Sequence, residues 1–394
     1  MLVLLTVLAA FDCPPDASFV ERPVALQDGA RGIARWCEHS QNGARARHGP
    51  YAAWRLDGTP LEEGAYRDGT AAGRWVGYHR NGQRAWEGER FAGMDVGEWS
   101  EFHVNGVRAA NGQKLDGERE GVWREWNMRG ALVRERSYRQ GLLEGPCTEF
   151  YPDGTVLRQG QYRNAKRVGT WEVFHFGGAL RRQGTYEDGK RAGIWFVFDE
   201  QENPIERTHW HEDNVVAREW LGPACPDGSD WYGEMYPKGR ARWCQRTGND
   251  GKRYNDGPFV SWHENGEIEA FGNYADRRIR GVFSMWHGNG VKKATGTITS
   301  DGREGESMSW HPNGQLSIIA HYRDGEEHGR WVSWFDNGIP QSRGTFRDGR
   351  EDGEWQFWYS TGQLSQEGSF TAGQPTGRWR EWDLDGTLLK DEIR

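Results

Sequence analysis

A glycine returns every 24 residues along most of this chain: Gly49, Gly73, Gly97, Gly121, Gly145, Gly169 and Gly193, then in a second register Gly257, Gly281, Gly305, Gly329, Gly353 and Gly377. Self-similarity at one fixed period is the signature of small units stacked in a row rather than one irregular core. Five residues after each of these glycines stands an aromatic: Trp54, Tyr78, Phe102, Trp126, Phe150, Phe174 and Phe198, then Trp262, Trp286, Trp310, Trp334, Trp358 and Trp382. Two residues after the glycine a second ring is usual, as at Trp75, Trp99, Trp123, Trp171, Trp195, Trp331, Trp355 and Trp379, with Cys147 and Ser307 as exceptions. Both columns are expected to be buried packing columns.

The rest of the period is turn chemistry. Nine residues after the opening glycine comes a turn glycine, often behind Asn or Asp, as in Asn81-Gly82, Asp153-Gly154, Asn265-Gly266, Asn313-Gly314 and Asn337-Gly338. Such pairs accept positive φ and close tight hairpins. Another ring follows at Tyr66, Tyr138, Tyr162, Tyr186, Tyr274, Tyr322, Phe346 and Phe370, and then a second turn such as Asp68-Gly69 or Asp348-Gly349. Each repeat therefore reads strand, turn, strand, turn, and the chain is expected to be all-β, with tandem hairpins stacked into two elongated antiparallel sheets. One hairpin cannot bury its aromatic face alone, so neighbours must. Ring columns three residues apart fall on opposite faces of a regular strand, unless a bulge re-aims one of them.

The chain also reads as an internal duplication. Cys13-Pro14-Pro15-Asp16, Ala34-Arg35-Trp36-Cys37 and Gly49-Pro50 in the first half answer to Cys225-Pro226-Asp227, Ala241-Arg242-Trp243-Cys244 and Gly257-Pro258 in the second. Each half thus opens with a cap, and each cap is expected to be closed by a disulfide, Cys13 to Cys37 and Cys225 to Cys244, which suits an oxidising compartment. The expected organisation is a signal-like segment at 1–12, a disulfide-capped cap at 13–48, seven repeats at 49–216, a second cap at 217–256 and six repeats at 257–394. Cys147 occupies a column otherwise held by tryptophan and is expected to be a buried, inert side chain.

The apolar run Leu2–Ala10, ending in small residues, reads as a secretory signal, which implies export to the periplasm, the outer-membrane surface or the medium. Lipoprotein anchoring at Cys13 is the weaker alternative. The chain has no other long apolar stretch, so no transmembrane helix is expected in the mature protein. A net charge of −8 argues against a nucleic-acid face.

Candidate chemistry is thin. His79, His103, His175, His263, His287 and His311 each follow the invariant ring, but repeats about 10 Å apart cannot converge imidazoles on one zinc ion. A polar column is the expectation. His209, His211, Glu212 and Asp213 resemble a metal or acid–base cluster, yet the period places Trp210 and Glu212 where Tyr186 and Asp188 stand one repeat earlier. No phosphate-cradling loop, nucleophile elbow or HExxH motif occurs. No catalytic, cofactor-binding or metal-binding residues are therefore expected, no cofactor, and no enzymatic activity.

The pattern Gly-x-Trp-x-x-Trp/Tyr/Phe-x-x-Asn/Asp-Gly, followed by Gly-x-Tyr-x-Asp-Gly, is clean from Gly73 to Gly97, Gly169 to Gly193 and Gly329 to Gly353. It resembles the MORN-repeat variant of bacterial proteins in the YwqK antitoxin family. The resemblance implies stacked β-hairpins and a binding or scaffolding role. Three functions follow as expectations: an exported scaffold that binds an unidentified protein partner, a cytoplasmic antitoxin bound to a toxin, and an envelope protein that binds cell-wall glycan through tryptophan faces.

Overall fold

The computed structural model describes residues 11–25, 31–41 and 44–394; most of the signal-like segment lies outside them. Among the described residues there are strands and turns and no helix, so no helix is long and apolar enough to cross a membrane. The strands form two antiparallel sheets of successive hairpins, one of 17 strands between Ala17 and Trp220 and one of 15 between Ser229 and Ile393. The sheets divide where the duplication does.

The hairpin from Thr70–Tyr78 to Arg84–Phe91 shows how the period is used. Gly73 pairs with Arg90, Trp75 with Gly88 and Gly77 with Trp86, after which the register slips so that Tyr78 meets Arg84. The same slip recurs one residue before the column ring at Phe174, Phe198, Trp262, Trp286, Trp310, Trp334 and Trp358. On the other edge of the strand, Val76 pairs with Glu63 and Ala72 with Ala65, so Gly73, Arg74 and Trp75 together oppose Gly64. The first slip puts its extra residue, Ala85, on the partner strand, and the second bulge ends at Trp75, so residues 75–78 themselves stay extended. Trp75 and Tyr78 therefore face opposite sides of the sheet.

Two glycines of most repeats are required for different reasons, the second being replaced elsewhere by residues such as Arg136, Thr208 and Ala320. Gly73 has φ +73°, and a Cβ there would meet nothing within 4 Å, so the bulge demands a positive φ and not space. Gly64 is the reverse case. A Cβ on it would lie 2.3 Å from Cδ2 of Trp75, because the indole lies flat against the glycine of the preceding strand. Gly88 under Trp99, Gly112 under Trp123, Gly160 under Trp171, Gly184 under Trp195, Gly344 under Trp355 and Gly368 under Trp379 repeat the arrangement.

The column two residues after the opening glycine thereby becomes a continuous spine. Trp75, Trp99, Trp123, Cys147, Trp171, Trp195, Trp355 and Trp379 are all buried, whereas Phe259, Phe283 and Trp331 are only partly so. This corrects the expectation for Trp331, which pairs with Ala320 and not with a glycine. Their rings meet the second-strand rings edge to face: Tyr162–Trp171 at 5.3 Å, Tyr186–Trp195 at 5.2 Å, Phe346–Trp355 at 5.1 Å and Phe370–Trp379 at 5.0 Å. Each such pair contributes about 0.5–1.5 kcal/mol beyond its buried area. A cation closes several rings from above, as Arg90 over Trp75, Lys114 over Trp99, Arg119 over Trp123 and Arg167 over Trp171.

Hydrogen bonds between turns lock one repeat to the next. The Nε2–H of His79 donates to the Phe102 carbonyl at 2.8 Å and Asn81 Nδ2 to the Val104 carbonyl at 2.7 Å. The remaining column histidines make the same bond, and Tyr151 and Tyr359 replace it with a phenolic hydroxyl. On the opposite turn row, Gly93 N–H donates to Ala71 and Gly117 N–H to Asp95. The histidine column is thus a structural clamp between repeats.

By packing, the chain divides into two compact units: Met1–Gly130 with Glu135–Glu144, and Ala131–Arg134 with Gly145–Arg394. This division does not follow the duplication. The last repeats of the first array belong with the whole second array, because the two bury each other's side chains.

Candidate docking surface

Within the second unit the two arrays meet along the turns that follow the column ring. Val197 and Ile205 from the first array pack with Val260, Trp262, Ile268 and Trp286 of the second. A second cluster joins Tyr151 and Leu157 to Val291 and Trp310, flanked by Phe176.

Charged side chains are buried between these clusters. Glu206 accepts from Trp262 Nε1 at 2.8 Å, Arg218 Nη1 at 2.9 Å and Thr208 Oγ1 at 2.8 Å. Glu267 is held by Arg182 and, at 3.1 Å, by Arg191. The arginines also read the backbone of the second array's Asn-Gly turns: Arg181 donates to the Gly290 carbonyl, Arg218 to Gly266 at 2.9 Å and Arg191 to Asn265 at 3.2 Å. Lys292 pairs with Glu200 nearby. Burial opposes the charge on Arg181 and lowers its pKa to about 10. Burial also opposes ionisation of Glu267, but Arg182 and Arg191 outweigh it and hold the carboxyl below the usual range. Such a network adds little net stability over apolar packing, but it is costly to break on one side only.

The column of thirteen rings is not uniformly buried. Trp262, Trp286, Trp310 and Trp334 are buried. Trp54, Tyr78, Phe102, Trp126, Phe150, Phe174, Phe198, Trp358 and Trp382 are each partly exposed. This corrects the expectation that the whole column is buried; Trp262, Trp286 and Trp310 are covered by side chains of the first array. Where it is open, guanidinium groups lie over one side of the indoles, Arg35 over Trp54 at 5.1 Å, Arg108 over Trp126 at 5.9 Å, Arg343 over Trp358 at 5.4 Å and Arg380 over Trp382 at 5.6 Å.

The other singled-out residues are placed as follows. The sulfurs of Cys13 and Cys37 lie 1.99 Å apart and those of Cys225 and Cys244 2.07 Å apart, so both caps are closed. Cys147 is buried in a cluster with Trp171, Trp195 and Trp210. His209 and His211 lie on the strand Pro204–His211, and Glu212 and Asp213 form its turn at φ 48° and 63°. Asp213 there accepts from the backbone and the side chain of Arg191, both at 2.9 Å. The buried carboxylates Glu206 and Glu267 and their arginines went unrecognised from sequence. The Leu180-Arg181-Arg182 run was the available signal, and charge runs ordinarily read as solvated surface.

The MORN repeat variant model matches residues 143–164, 303–324, 327–348 and 351–372, so the chain carries repeats of that class. No curated protein sequence matches it. Among solved structures, a Photorhabdus luminescens Tc holotoxin pore is 11% identical over 96% of this chain and 22% of its own, with a TM-score of 0.17. A TcdB2–TccC3 crystal structure is 10% identical over 96% and 24%, with a TM-score of 0.18. The chain spans about a quarter or less of those chains, and scores this low support no conclusion about fold.

Proposed function

We propose that this protein is a repeat scaffold that works by binding another protein along the column-ring face, without catalysis, in an oxidising compartment outside the cytoplasm. One observation carries the reading. In the second unit this row of rings and turns already docks a protein surface, the chain's own other array, using apolar rings, arginines and turn carbonyls. The row continues with the same residue types where it is partly exposed, at Trp54, Tyr78, Phe102 and Trp126. Aromatic and arginine side chains are the types that dominate protein interfaces.

The two cystine caps support export over a cytoplasmic antitoxin. A sulfur held in a disulfide is also unable to carry a lipid at Cys13. The guanidinium over each open tryptophan favours a protein partner over a sugar ring, which would need that face. The test is a photo-crosslinking residue in place of Tyr78 or Trp126, expressed in the native host. A reproducible protein adduct from the extracytoplasmic fraction is expected, and it is lost when the Trp54 and Phe102 rings are removed. Adducts confined to the cytoplasm, or none above a Leu115 control, would overturn the proposal.

A further inference from the structure

The first cap brings together a set of side chains that the binding face does not use. His39 lies on the strand Arg31–Gln41 and His48 on Ala44–Arg55, with Asp68 in the turn that follows Pro60–Arg67. His39 pairs with Ala46, and the register slips opposite Cys37, so His48 sits in a bulge that aims it toward His39. The two imidazoles stack with centroids 4.4 Å apart. Oδ1 of Asp68 is 3.2 Å from His39 Nε2 and 3.0 Å from His48 Nδ1, and the three ligand atoms lie within 4.8 Å of one another. His39 Nε2 is buried and makes no hydrogen bond of good geometry. Its other nitrogen, Nδ1, faces Asp16 Oδ2 at 3.4 Å, on the segment that the Cys13–Cys37 disulfide ties down.

We propose that His39 Nε2, His48 Nδ1 and Asp68 form a binding site for one divalent transition cation, Zn²⁺ foremost, with Asp16 orienting His39. Ligands about 2.0–2.2 Å from zinc in a tetrahedron stand roughly 3.4 Å apart, close to the 3.2 and 3.0 Å that separate Asp68 from the two imidazole nitrogens. Two imidazoles and one carboxylate suit zinc, copper or nickel and not the hard oxygen-seeking cations. A carboxylate on the remote nitrogen of a ligand histidine is the usual outer partner of such sites, because it fixes the tautomer. The spacing of these residues in sequence gave no sign of a site; three adjacent strands assemble it.

The second cap supplies an internal control. Arg246 stands at the place of His39, counted from the cap cysteine, and Asp256 at the place of His48, counted back from the opening glycine; they form an ion pair at 3.3 Å, with Asp276 in the position of Asp68. The fold therefore satisfies this corner with an ordinary ion pair and does not itself require two imidazoles.

The test is calorimetric titration of ZnCl₂ into the untagged, disulfide-intact full-length protein near neutral pH. One equivalent is expected to bind. The variants His48→Gln and Asp68→Asn should weaken it at least about tenfold and Asp16→Asn roughly 10- to 100-fold, while Arg246→Ala leaves it unchanged. Circular dichroism checks that each variant folds. Should a ligand variant fail to fold, the visible spectrum of the wild-type Co²⁺ complex decides, since four-coordinate nitrogen and oxygen ligation gives intense d–d bands. Absence of saturable binding, binding undiminished in the folded variants, or a weak octahedral Co²⁺ spectrum would overturn the proposal.

Discussion

The column ring five residues after the opening glycine is chemically the same at Trp126 and at Trp262, yet the first is partly exposed and the second fully buried. The spine on the other face shows no such contrast: Trp123 in the first unit and Trp171 in the second are equally buried, each flat on a glycine. Each repeat thus has one face that folds it and one that is free to dock. The spine depends on the neighbouring repeat and on the glycine it offers: Trp331, which faces Ala320 in place of a glycine, is left partly exposed. The docking face depends on what is laid over it.

Breaking the covered face should produce the largest difference between the units. Glu267→Ala leaves the buried Arg182 without its carboxylate and Arg191 with Asp213 alone, and is expected to cost about 3–5 kcal/mol in the denaturant transition of the second unit. Gln83, one residue after the turn glycine in the first unit, as Glu267 is in the second, should cost less than about 1 kcal/mol when changed to alanine. Equal losses would contradict the contrast. Trp262→Ala follows, at about 3–5 kcal/mol, while Trp126→Ala should cost about half of that or less.

The spine should respond alike in both units. Gly64→Ala and Gly160→Ala each drive a methyl into an indole, against Trp75 and Trp171, and each is expected to cost about 1–3 kcal/mol. A loss in only one unit would mean that the spine is not a common device.

The smallest effect is a pH dependence confined to the second unit. Burial and then the positive charge of Arg181 push the pKa of His175 down to about 4. Folding therefore favours the neutral ring: the stability is complete above the unfolded value of about 6.5 and is lost as pH falls toward 4. The loss should reach about 1.4 kcal/mol near pH 5.5. His175→Tyr, the residue type the chain uses in the same clamp at Tyr151 and Tyr359, should flatten this dependence in a pH series of melting curves.

The hairpin, the two arrays and the cystine caps were legible in the sequence because strict local rules write them: positive-φ glycines, Asn-Gly turns, and rings at a fixed offset. Burial of the column ring was not, because Trp126 and Trp262 look alike within their repeats and differ only in a layer supplied from 50 or more residues away, such as Glu206 on Trp262. Glu206 and Glu267 were illegible for the same reason, since a carboxylate in a charged sequence gives no sign of the arginines that will surround it. The His39, His48 and Asp68 group needed a bulge at Gly49 and the closure of Cys13 on Cys37 before its members met.

The most direct test of the two-faced repeat is hydroxyl-radical footprinting of the intact protein, read tryptophan by tryptophan by mass spectrometry. Trp54, Trp126, Trp358 and Trp382 should be oxidised readily, and Trp262, Trp286 and Trp310 should be protected along with the spine residues Trp123 and Trp171. Uniform oxidation along the column, or protection of Trp54 and Trp126 to the level of Trp262 in the isolated monomer, would contradict the account.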